Sequence, residues 1–137
     1  MTLACDVGIK KIGLAAFVEG IVLPLDPILR QNRNQAAKEL ASVLYSRHIT
    51  HLVVGLPSND QATHEAHEME KRIKHFIDLL EFQGEIIYIN EDYTSIEAFR
   101  DTLHMKKQSR AKAQKDGKID SLSACIILER YIESYNN

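Results

Sequence analysis

The chemistry in this chain starts from a carboxylate in an unexpected place. Asp6 lies within Met1–Val7 (MTLACDV), an apolar run that leads directly into a second one, GIKKIGLAA. An ionised Asp inside a buried strand costs several kcal/mol unless cations or donors compensate it, so a paired charge, a metal or a function is expected there. Two more carboxylates occupy comparable positions. Glu91 follows the apolar strand Glu85–Ile89, at the carboxyl end where open α/β sheets place their ligands. Asp120 opens the last helix, where it could equally be an N-cap. Carboxylate oxygens suit hard divalent ions such as Mg²⁺ or Mn²⁺, and ions so held cleave phosphodiester bonds without a protein nucleophile.

Other candidates carry weaker signals. His64 and His67 with Glu68 offer a metal pair without an evident third ligand, and solvated helix-start residues explain them as well. His104 borders a basic segment and could touch phosphate. Thr94 or Ser95 could contact a substrate, although helix capping accounts for at least one, and Tyr93 could stack on a base. Residues 106–118 (KKQSRAKAQKDGK) hold six Lys or Arg against one Asp, while the other residues hold eleven against eighteen Asp or Glu. A mildly acidic body with one cationic segment suits an anionic strand. Lys106, Lys107, Arg110, Lys112, Lys115 and Lys118, with Lys10 and Lys11 beside Asp6, are the candidate nucleic-acid contacts. A solvated loop without a partner is the alternative for the segment.

The elements that must position these groups follow from periodicity. Residues 2–7, 12–18 and 21–25 read as strands, with a tight turn at Glu19-Gly20 and the third strand closed by Pro24 and Pro27. A helix is expected over 34–47 with Ala37, Leu40, Ala41 and Leu44 on one face, then a short buried strand over 51–55. A longer helix over 64–82 carries the stripe Ala66, Met69, Ile73, Phe76, Ile77 and Leu80. Gly84 breaks to the strand 85–89, and Thr94 with Glu97 fits a capping box for a helix over 95–104. A final helix, roughly 120–134, is apolar on most of its circumference and should pack deeply against a sheet. Three antiparallel strands followed by alternating elements imply an α/β fold, a mixed sheet with helices on both faces.

Four blocks of the chain resemble the YqgF/RuvX family, also called Holliday junction resolvases. DVGIKKIGLAA is similar to the family's DxGxKRIGLA opening, VVGLPSN (53–59) to its VGLPLN segment, INEDYTSIEA (89–98) to DERLTTVEA, and GKIDSLSACIILERYIE (117–133) to its KxDSxAAxIILexyl ending. The matches run in order over nearly the whole chain. The resemblance implies an RNase H-like fold, a five-stranded mixed sheet flanked by helices with the first three strands antiparallel. It implies a metal-dependent nuclease that matures the 5′ end of 16S ribosomal RNA; members are also named as resolvases of four-way DNA junctions. The family's acidic positions fall on Asp6, Glu91 and Asp120. Three departures stand out. Lys11 replaces the usual Arg and cannot grip a phosphate in a bidentate fork. Asn90-Glu91-Asp92 replaces Asp-Glu-Arg, losing a cation beside the site. SNDQATHE replaces the NMDGT pattern.

The 137 residues suffice for one domain, spanning 1–137, and 45% hydrophobic with 26% charged residues is ordinary for a soluble globular protein. No run approaches membrane-helix length and the start lacks a signal-type pattern, so a cytoplasmic protein is expected. Cys5 and Cys125 fit buried reduced thiols. A ribosomal RNA nuclease is the leading reading. A dimeric junction resolvase using the same site, or a non-catalytic nucleic-acid-binding factor, are the alternatives; a phosphate-loop ATPase would need a second domain and a second glycine loop. Partners are precursor rRNA or branched DNA, with the chain a monomer or homodimer.

Overall fold

The computed structural model describes residues 1–57, 64–90 and 121–135. Five strands form one sheet: β1 (Thr2–Val7), β2 (Lys11–Val18), β3 (Ile21–Leu29), β4 (His51–Leu56) and β5 (Glu85–Asn90). Their order across the sheet is β3-β2-β1-β4-β5. The first three pair antiparallel, whereas β4 pairs parallel with both β1 and β5. The carboxyl ends of β1, β4 and β5 therefore share one edge.

Alternation along β1 assigns its two faces. Leu3, Cys5 and Val7 pack with Ile12, Leu14, Leu52 and Val54 beneath α1 (Arg33–Ser46) and α2 (His64–Asp78), a core that includes Leu40, Leu44, Phe76 and Ile77. Ala4, Ala15 and Val53 face the other way, onto Ala124, Ile127 and Leu128 of α3 (Leu122–Tyr135). The small residues on this second face let a helix lie close. Ala124, Ile127 and Leu128 are each fully buried, as expected for a helix apolar around most of its girth. The expected mixed sheet with helices on both faces is what forms.

Most boundaries shift by one or two residues, and three differences from the sequence reading have a physical cause. β3 does not stop at residue 25 but runs to Leu29, through both Pro24 and Pro27. It lies at the sheet's edge, where a missing N–H costs no ladder bond. Register helps as well. Ile12 pairs with Ile28 but Leu14 with Leu25, so Asp26 and Pro27 together oppose Gly13 in a bulge. α2 ends at Asp78, not at residue 82. There the backbone tightens: Leu79, Leu80 and Glu81 donate to carbonyls three residues back, and Glu81 takes a left-handed φ of 50°. The third difference is a cap. Asn32 accepts from the Gln35 amide at 2.7 Å while the Gln35 side chain accepts from the Asn32 amide, a capping box that fixes where α1 begins. The Glu19-Gly20 turn forms as expected, both residues at positive φ. The helix expected over 95–104 lies outside the described residues.

Candidate active site

Asp6 sits one residue before the end of β1. Its parity with Ala4 puts it on the face covered by α3, and it is half-buried there. It pairs with Gly13 on β2. On the other side, the β1–β4 register, Cys5 opposite Val54, carries one step further to Gly55. A glycine thus stands directly opposite this carboxylate on β2, and Gly55 follows the last paired residue of β4. Glycine inside a strand commonly marks close approach by a ligand or another backbone. The position of Gly13 opposite Asp6 is not legible in the sequence, because it appears only once register is known.

The turn after β1 is fixed from both sides. The Gly8 amide donates to the Lys11 carbonyl at 2.9 Å, and the Gly8 carbonyl accepts from Arg30 Nη1 at 2.7 Å. A Cβ on Gly8 would stand 2.7 Å from the Lys11 carbonyl oxygen, so no other residue fits without moving the turn. Lys10 and Lys11, both candidate contacts, are exposed on this turn, and the Lys10 carbonyl accepts from the Arg30 amide at 2.8 Å. Arg30 is the residue that composition and spacing did not single out. Its guanidinium lies 5.1 Å from the centre of the Phe76 ring. Its pKa is lowered from the ordinary arginine value, first by partial burial and then by the nearby charge of Arg33.

Two further anchors reach the same edge from α3. Ser121, the residue after Asp120, is wholly buried. Its Oγ accepts from the Leu14 amide at 3.0 Å and donates to the Leu25 carbonyl at 2.7 Å. Leu14 and Leu25 sit at the bulge, beside Gly13, the partner of Asp6. At the other side, Arg130 Nη1 donates at 3.0 Å to the carbonyl of Asn90, the last residue of β5 and the one before Glu91. Glu91, Asp120, Lys106, Lys107, Arg110, Lys112, Lys115 and Lys118 lie outside the described residues, as do Tyr93, Thr94, Ser95 and His104. His64 and His67 are exposed on α2, and among the described residues no three His, Cys, Asp or Glu side chains gather as a metal site. For a hard divalent cation the described edge supplies one oxygen donor of the right chemistry, Asp6. No helix among the described residues is long and apolar enough to cross a membrane.

Three antiparallel strands, two parallel ones and helices on both faces make up the RNase H-like fold. The RuvC resolvase of T. thermophilus, solved in complex with a Holliday junction substrate, superposes with a TM-score of 0.59 at 9% identity, covering 97% of this chain and 95% of that one. The fowlpox virus Holliday junction resolvase does so with a TM-score of 0.56 at 14% identity over 98% of each chain. The family model described as "RuvX: Holliday junction resolvase" matches residues 1–134, and the chain belongs to that family. A Helicobacter hepaticus protein named "Putative pre-16S rRNA nuclease" is 61% identical, covering 96% of this chain and 94% of its own length.

Proposed function

We propose that this chain is a single-domain, divalent-metal-dependent nuclease over residues 1–137. It hydrolyses phosphodiester bonds at the 5′ end of precursor 16S rRNA, in the cytoplasm, as a step of ribosome biogenesis. Asp6, Glu91 and Asp120 are its acidic residues. One observation carries the reading. Asp6 stands opposite Gly13 near the carboxyl end of β1, and Ser121 and Asn90, the described residues adjoining Asp120 and Glu91 in the chain, are hydrogen-bonded to Leu14 beside Gly13 and to Arg130 of α3. The names carried by the relatives support the RNA substrate.

The three carboxylates are the groups that would hold Mg²⁺ or Mn²⁺. Such an ion supplies an activated water and neutralises charge on the scissile phosphate. The chain's own residues do the rest. Ser121 and Arg130 fasten the two segments that bring in Asp120 and Glu91. Lys10 and Lys11 present cations on a turn pinned by Arg30, and the six cations of residues 106–118 draw in the phosphate backbone. Lys11 grips as a point charge where its relatives commonly use a guanidinium fork.

The test is a cleavage assay with Mg²⁺ or Mn²⁺ on precursor 16S rRNA, run beside a four-way DNA junction, with Asp6→Asn as control. RNA cleavage that is lost in Asp6→Asn upholds the proposal. Cleavage of the junction alone, with a dimer in solution, would move the assignment to a resolvase, the reading favoured by the family's description and its structural neighbours. Binding of RNA without cleavage would make the chain a non-catalytic factor.

A further inference from the structure

Three arginines line one cleft on the side of the sheet opposite Asp6. Arg30, Arg33 and Arg72 come from the end of β3, the first turn of α1 and the middle of α2, and they surround a cavity of about 250 Å³. Gly8 closes one wall, and Met69 and Ile73 form the apolar floor. At roughly 30 Å³ per water in the liquid, the space holds about eight waters, enough for a hydrated oxyanion.

Among the described residues, the charges in this cleft are not balanced by carboxylates: none forms an ion pair with any of the three. The acids on α2 nearest in sequence are engaged elsewhere, Glu68 with Lys71 and Glu70 with Lys74. The local arrangement also runs against helix electrostatics. Arg33 is the first residue of α1, at the positive end of the helix dipole, and the first turn holds no acid. A cation at that position opposes the dipole, and it also lowers the affinity of Arg30 for its proton. Such conflicts within a well-packed fold are characteristic of functional positions. An anion in the cleft resolves all of them together.

We propose that the Arg30–Arg33–Arg72 cleft binds a backbone phosphate of the nucleic acid, one that flanks the phosphate presented to Asp6. The proposal rests on the nuclease reading and adds a second contact to it. Gly8 is two residues beyond Asp6, about 7 Å along a strand. A polynucleotide crossing the carboxyl edge of β1 passes over the Gly8–Lys11 turn and reaches the cleft within one or two nucleotides. Arg30 is preset for the role: its backbone and one nitrogen are fixed by the turn, and Phe76 supports the guanidinium plane. Arg33 and Arg72 are exposed and close the clamp.

The experiment measures binding of a labelled single-stranded RNA in EDTA, where cleavage is off, over a range of salt concentrations. It compares the parent, the double variant Arg33→Ala/Arg72→Ala, and Lys38→Ala, an equally exposed cation on α1 outside the cleft. Both arginines lack partners among the described residues, so an unchanged melting temperature is expected for the double variant. Its affinity should fall roughly 10-fold or more, and its slope of log K against log salt should drop by about 0.7, the value for one lost phosphate contact on a single strand, with Lys38→Ala close to the parent. Equal binding and equal slope in parent and double variant would overturn the cleft and leave the nuclease reading intact. A parent that binds no RNA would overturn both, and the cleavage assay would fail with it. A parallel titration with inorganic phosphate, followed on the arginine side-chain NMR signals, isolates the last case. Shifts at Arg30, Arg33 and Arg72 without any dependence of RNA binding on them would make this a free-phosphate site and refute the nucleic-acid assignment.

Discussion

Replacing Ser121 by Ala removes one oxygen and should loosen two elements together. The hydroxyl is the acceptor for the Leu14 amide and the donor to the Leu25 carbonyl, at a point where the bulge interrupts pairing between β2 and β3. The Leu14 bond is buried, so its amide is left without an acceptor at a cost of about 1 to 3 kcal/mol. The Leu25 bond is only partly buried, and water can repair some of that loss. Together the change should destabilise the fold by about 2 to 4 kcal/mol. With a urea slope near 2 kcal/mol/M, the unfolding midpoint should fall by roughly 1 to 2 M. The slope itself should stay the same, because the surface exposed on unfolding is unchanged. Ser121→Cys, which keeps a weak donor and acceptor, should fall in between. The second readout is cleavage at low temperature, where the variant remains folded. If Ser121 places Asp120, activity should drop about tenfold or more, since small misplacements of reacting groups are costly. A stability loss under about 0.5 kcal/mol, the range of an ordinary surface change, would refute the bridging role. A full stability loss with undiminished cleavage would refute the link to Asp120.

Gly8→Ala should cost about 1 to 3 kcal/mol in thermal or urea unfolding, because the added Cβ meets the Lys11 carbonyl at 2.7 Å. It should also weaken RNA binding by shifting Lys10 and Lys11. Asp6→Asn should keep the parent's circular dichroism spectrum and melting temperature within a few degrees while abolishing metal-dependent cleavage. Tyr88 titrates above the ordinary tyrosine range, chiefly through desolvation and then through the charge of Asp78. The folded state therefore favours the neutral phenol. Its contribution to stability is complete below pH 10 and is lost as the pH rises through the raised folded value. Tyr88→Phe should flatten that alkaline loss in unfolding measured between pH 9 and 11, and an unchanged profile would count against it. Cys5 and Cys125, 0% and 8% exposed on opposite faces of the sheet, should resist a thiol reagent in the folded protein and react at once in urea.

Local pattern made much of this molecule legible. Asp6 was recognised as anomalous because its neighbours are apolar. The stripe of α2 and the near-continuous apolar surface of α3 foretold their burial. What escaped depended on position in space. Pro24 and Pro27 read as strand breakers, yet β3 tolerates them because it lies at an edge, and edges are a property of the assembled sheet. The end of α2 escaped because Leu79 and Leu80 carry a helical pattern while the backbone tightens toward β5. Ser121 looked like one polar residue in an apolar helix start, and its partners lie 107 and 96 residues away. Arg30, Arg33 and Arg72 are scattered in sequence, so composition pointed to the clustered cations of residues 106–118 instead. The family resemblance supplied Glu91 and Asp120 with more force than strand-end and helix-cap positions could.

The bond between Leu14 and Ser121 also has a bearing on time. At translation rates of about 5 to 20 residues per second, the acceptor emerges roughly 5 to 20 s after the donor it must meet. Through that interval β1, β2 and β4 can form, because their partners are already made, but the face bearing Ala4, Ala15 and Val53 stays bare. Asp6 is then present without the helix that borders it. A nascent chain of this design holds its first acidic residue from the start and gains the helix that covers that face only once Leu122–Tyr135 has been made. On the proposed reading, a nuclease assembled in that order would stay silent until that helix docks.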